Sequence, residues 1–200
     1  MKYPDFFDQV ENIVLKDELS DFLGVFEDGI VEISYLDIVK SAGHSCPTIA
    51  GAYLMALKGL KALYGNDIPL RGGVSIEFRD SEQTETTGVI ANAVENITGA
   101  TAVRGFKGIG GRFIRHSLMR FQVPIDSSLR LIRNDNGSSV DVYYTPGNVP
   151  GDPRIQQLMP VVLQGKGSVE EKKLFGTLWQ DRVRDIFSRS NDVITLQLHQ

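Results

Sequence analysis

The sequence predicts an α+β fold, with an antiparallel or mixed sheet packed against helices and helical extensions at both ends. Three observations carry this reading. The apolar run from Ile49 to Tyr64 ends at Gly65, which makes a long helix that must be covered on most sides. Leu129 to Tyr144 forms a hairpin about Asp135-Asn136-Gly137, whose Asn and Gly tolerate positive φ. Strand-like and helix-like segments otherwise follow one another without strict βαβ alternation. The 200 residues, 42% hydrophobic and 23% charged, suffice for one core. The chain therefore reads as a single domain over 1–200, with its core at about 30–145 and a helical C-terminal extension at about 150–198.

Taken in order, residues 3 to 28 mix aromatics and acids at a spacing that suits short amphipathic helices broken near Lys16 and Gly24. Ile30 to Ser34 alternates as a strand, and Tyr35 to Ser41 shifts to helical spacing before Gly43 stops it. Pro47 suits the first position of the next helix because its missing N–H would be unpaired there. Ala50, Gly51, Ala52, Ala56 and Gly59 let a neighbour approach that helix closely. Gly73 to Phe78 is expected as a strand and Thr86 to Thr98 as a helix closed by Gly99. The glycine loop Phe106 to Arg112 leads into an expected strand from Phe113 to Val123. Beyond the loop-like Pro146–Pro153, Ser168-Val169-Glu170-Glu171 has the form of a capping box that opens a helix.

Composition excludes several function classes. Lys and Arg number 21 against 25 Asp and Glu, a net charge of −4, so no basic field exists for a phosphate backbone and nucleic acid is not an expected partner. The single cysteine, Cys46, excludes an intramolecular disulfide framework and any zinc finger that needs several thiolates. No run of about 18 apolar residues occurs, and Met1–Asn12 has no basic region leading into an apolar one. A membrane is therefore not an expected partner, and a cytoplasmic location is expected.

The strongest local feature is Gly43-His44-Ser45-Cys46-Pro47 at a helix entrance. There unpaired N–H groups and the positive end of the helix dipole favour an anion at Cys46. His44, two residues earlier on non-helical backbone, can aim its imidazole at a shared point. One nitrogen and one sulfur converging on a metal is one reading, with zinc favoured and iron or nickel possible. A packed free thiol beside a hydrogen-bonded loop histidine is the other.

This motif, with Gly51 in the following helix, resembles the opening motif of the FmdE family, named for a component of formylmethanofuran dehydrogenase, which carries Gly-His-x-Cys-Pro-Gly before a helix. Asn92-Ala93-Val94-Glu95-Asn96-Ile97-Thr98-Gly99-Ala100-Thr101 is similar to the family's second block, and the glycine loop sits where the family has its Gly-Lys-Gly stretch. The likeness spans roughly residues 30 to 145. It implies an α+β fold like that of FmdE and the glyceraldehyde-3-phosphate dehydrogenase domain, a homodimer, and a metal, usually zinc, held by His44 and Cys46. The chain departs from the family pattern where Val89 and Ala100 replace cysteines, Asn92 replaces an aspartate and Thr48 replaces a glycine, and no cysteine-rich zinc module follows.

A metal at this motif needs further ligands or solvent. Candidates are Glu77, Asp80, Glu82 and Glu85, each alternatively a solvated charge near a strand end, and His116, which lies among Arg112, Arg115 and Arg120. His199 is assigned no role. Two other classes stay open. Cys46 is a nucleophile without a metal if His116 approaches as its base. Alternatively, Lys107 and Arg112 flank a loop that binds a small anionic ligand or cofactor through backbone N–H groups, although a tight turn also explains those glycines.

Overall fold

The computed structural model describes residues 1–199. A 3-10 turn over Asp5–Gln9 is followed by β1 (Ile13–Lys16), α1 (Glu18–Phe22), β2 (Ile30–Ile33), α2 (Tyr35–Ala42), α3 (Pro47–Tyr64), β3 (Val74–Phe78) and α4 (Thr87–Thr98). Next come β4 (Met119–Arg120), β5 (Leu129–Arg133), β6 (Ser139–Tyr144), α5 (Arg154–Leu163), α6 (Val169–Ser188), α7 (Ser190–Val193) and β7 (Ile194–His199). The expected α+β class is observed. The main sheet has the order β4-β3-β5-β6-β7, with β3 and β4 parallel and the other neighbours antiparallel, while β1 and β2 form a separate antiparallel pair.

α3 lies against the sheet and is flanked by α4 and α6. One face of the sheet, with Ile76, Phe78, Leu129, Leu131, Val140 and Val142, is closed to water and meets the helix. Two glycines make this approach possible. A Cβ on Gly59 would overlap the Leu131 side chain, and one on Gly51 would overlap the Tyr144 ring. No helix among the described residues is long and apolar enough to cross a membrane.

The opposite face of the sheet carries a ribbon of charges, one residue from each strand. Arg120 pairs with Glu77, Arg130 lies 3.9 Å from Glu77 and 2.7 Å from Asp141, and His199 Nε2 is 2.8 Å from Asp141. Register dictates this order, because Glu77 stands opposite Arg120 and Arg130, and Arg130 opposite Asp141. Opposite charges directly across neighbouring strands stabilise pairing. The Asp141 carboxylate also accepts from Ser127 Oγ at 3.0 Å.

Three segments differ from expectation. Residues 13–16 form β1 instead of helix, because Ile13 and Leu15 are buried while Val14 and Lys16 are exposed, a period of two. The strand expected over Phe113–Val123 shrinks to β4. Phe113 and Ser117 take φ of 62° and 60°, and the N–H groups of Arg115, Ser117, Leu118 and Met119 bond within residues 101–106. The C-terminal stretch is helical through α7 and then adds β7, whose Ile194, Thr195 and Leu196 pair with β6. His199, given no role from sequence, thereby becomes the end of the charged ribbon.

Candidate functional site

Ser34 and Asp37 cap α2 reciprocally, and Gly43, at φ 76°, ends it and turns the chain outward. His44, Ser45 and Cys46 bridge from there to α3. Cys46 is the N-cap residue of α3, extended at φ −151° and ψ 170°, and its Sγ accepts from the Ile49 N–H at 3.5 Å. The thiol is partly exposed. His44 is exposed, and its Nδ1 lies 3.0 Å from the Ala42 carbonyl oxygen. With Nδ1 donating that bond, the lone pair of Nε2 faces outward.

Between the two donors, α6 holds Ser45 from above. Trp179 Nε1 and Gln180 Nε2 each donate to the Ser45 carbonyl at 3.1 Å, and Ser45 Oγ donates to Gln180 Oε1 at 2.9 Å. The Tyr35 hydroxyl lies 2.9 Å from the same Oγ. Tyr144, on β6, donates its hydroxyl to the Pro47 carbonyl. Burial pushes both phenols well above their ordinary range, so each acts as a neutral donor.

Among the described residues, no group of three or more His, Cys, Asp and Glu side chains gathers where a metal could bind. His116 and the four candidate carboxylates therefore do not complete a three-donor site with His44 and Cys46. His116 is half-buried on the loop before β4, with Nδ1 3.0 Å from Ser117 Oγ. The three arginines around it serve separate partners. Arg112 lies over the Phe113 ring, Arg120 pairs with Glu77, and Arg115 is buried with Nη2 2.7 Å from Asp17. Burial works against the Asp17 charge, yet Arg71 and Arg115 hold its carboxyl below the usual range.

Glu77 belongs to the charged ribbon, Asp80 pairs with Arg79 at 3.1 Å, and Glu82 and Glu85 are exposed before α4. His44 and Cys46 are two side chains, whereas a structural or catalytic zinc takes three or four donors from protein. Ile109 and Arg112 exchange backbone hydrogen bonds of 3.0 Å in both directions, with Gly110 and Gly111 at φ 57° and 79°. The glycine loop is a closed tight turn, and Lys107 Nζ donates to the Val103 carbonyl at 3.2 Å.

The residues that sequence reasoning missed are Trp179, Gln180, Tyr35 and Tyr144. The Ser168–Glu171 capping box announces α6, but nothing local to Trp179 or Gln180 marks them as partners of Ser45. Two clefts lie elsewhere, and no residue of the motif lines either. One of about 560 Å³ sits between Phe6, Leu54, Lys58, Lys61 and Phe187, and another of about 570 Å³ includes Gln180 in its wall.

The fold is α+β, with His44 and Cys46 two positions apart in the sequence at the entrance of its central helix. No family model matches the chain, and no curated protein does. Among solved structures, a tungsten formylmethanofuran dehydrogenase FmdE-like protein from Syntrophus aciditrophicus is similar over 84% of this chain and 72% of its own length, at 15% identity and a TM-score of 0.46.

Proposed function

We propose that this chain is a homodimeric metal-binding protein in which His44 Nε2 and Cys46 Sγ are the donors that one copy supplies. Zinc is the first choice, with iron or nickel next, and the remaining coordination positions are filled from outside the chain. The observation that carries this reading is the hold of Trp179 and Gln180 on Ser45. It fixes the backbone between the exposed His44 and the half-buried Cys46. A metal bound there supplies a Lewis acid, and no reaction is assigned to it. Lys107 and Arg112 are available as charge partners for an anionic ligand.

Metal content of protein purified without a metal-affinity tag, followed by cobalt substitution, tests the proposal. The expected result is stoichiometric metal and a thiolate-to-cobalt absorption band that Cys46→Ser abolishes and His44→Ala weakens. Ser is itself a preferred N-cap, so Cys46→Ser keeps the entrance of α3 folded. Absence of both stoichiometric metal and the band overturns the reading. The lack of a third donor among the described residues favours a second reading, in which the Cys46 thiol acts without a metal. Rapid alkylation of Cys46 at neutral pH in protein that takes up no metal is its expected signature.

A further inference from the structure

Two segments that touch through Phe22–Phe113 and Asp17–Arg115 each carry exposed apolar side chains. Residues 17–32 present Phe22, Leu23, Val25 and Phe26, each more than half exposed. The loop over residues 99–118 presents Val103, Phe106, Ile109 and Ile114, also exposed. The segments meet where the Phe22 and Phe113 rings lie tilted, 5.4 Å between centroids, with the Arg112 guanidinium 4.6 Å above Phe113. Phe113 holds φ 62°, a region that bulky residues avoid, so the backbone is strained where this ring is placed. Exposed apolar residues on a monomer are ordinarily scattered singly, and contiguous patches mark interfaces.

The charges divide by segment. Residues 17–32 contain six acids and no base, and residues 99–118 contain four Lys or Arg and no acid. Asp17 and Arg115 are buried against each other. Among the described residues, the exposed Glu18, Asp21, Glu27 and Asp28 on one side, and Arg104, Lys107 and Arg112 on the other, form no ion pair. Other exposed charges do pair, as in Lys40–Asp37 and Arg189–Asp192.

We propose that this face is where a second copy of the chain docks about a two-fold axis, with the acidic segment of each copy against the basic loop of the other. A two-fold contact must be self-complementary. An apolar patch with one acidic half and one basic half meets that condition, because the rotation sets unlike halves together. A partner of one charge sign would satisfy only one half. The inference rests on the homodimer reading above and gives that dimer a surface.

Light scattering with two charge-reversed variants tests it. The triple variant Asp21→Lys, Glu27→Lys, Asp28→Lys brings residues 17–32 from six net negative charges to none and sets three lysines on the face, and Arg104→Glu, Lys107→Glu, Arg112→Glu makes both segments acidic. All six positions are exposed, and far-UV circular dichroism verifies that the fold is kept. Wild type is expected at twice the 22.1 kDa chain mass. Each variant alone is expected at the single-chain mass, its self-association weakened on the order of a hundredfold or more. An equal mixture of the two is expected to regain the doubled mass. Wild type at the single-chain mass overturns the homodimer and this face together. A dimeric wild type whose variants still self-associate, or whose mixture stays monomeric, overturns this face alone.

Discussion

Replacing Asp141 with Asn preserves side-chain shape and removes one charge from the centre of the sheet ribbon. Arg130 is the main cause that holds the Asp141 carboxyl at about 2, against an ordinary value of 3.8. Burial opposes the shift, and His199 and Ser127 add to it. At about 1.36 kcal/mol for each tenfold change in proton affinity, that depression contributes about 2.4 kcal/mol of stability at neutral pH. The sign follows from which state binds the proton first. As pH falls, the unfolded chain protonates near 3.8 and the folded chain only near 2, so the contribution is complete above about 5 and is lost toward 2. Near pH 3 about half of it remains, on the order of 1.3 kcal/mol. Urea denaturation of wild type and Asp141→Asn, followed by far-UV circular dichroism, should show a gap of about 2–3 kcal/mol at pH 7 that narrows by about half at pH 3. A gap that is absent at pH 7, or equally wide at both pH values, refutes the assignment of this stability to the Asp141 charge.

Gly51→Ala places a methyl into the Tyr144 ring and should cost about 1–3 kcal/mol in thermal or urea denaturation, whereas an unchanged midpoint would show that Tyr144 moves freely. Gln180→Ala removes the amide on Ser45 and should weaken metal binding at His44 and Cys46 by about 10- to 100-fold in a chelator competition, with the thiol itself intact. Ser168→Ala loses the side-chain bond to the Glu171 N–H and should lower stability by about 1 kcal/mol, with the loss of helical signal confined to α6.

Elements governed by local chemistry were legible in the sequence. Pro47 and Gly65 mark the ends of α3, Gly43 ends α2, and Asn136-Gly137 turns the β5–β6 hairpin. Where a distant partner decides the conformation, pattern reading fell short. β1 has four residues, too few for its alternation to stand out, and it depends on pairing with β2. The Phe113–Val123 stretch looks extended, yet Arg115 turns inward to Asp17, 98 positions earlier, and draws the loop out of the sheet. The same division holds at the site. The His44-Ser45-Cys46 motif is visible by inspection, whereas its restraint by Trp179 and Gln180 depends on how α6 packs. Glu77 looked like a spare carboxylate because Arg120 and Arg130 reach it only across neighbouring strands.

The bond from Gln180 to Ser45 closes a loop of 135 residues. Loop closure over such a separation is entropically costly, and distant pairings form late in folding. α3 and the β5–β6 hairpin rely on nearer contacts and so take shape earlier. A refolding chain therefore presents imidazole and thiol on a loose segment first and fixes their spacing only when α6 docks. On the metal-binding proposal, a metal encountered before that moment would meet a permissive pair of side chains and one encountered afterwards a fixed pair.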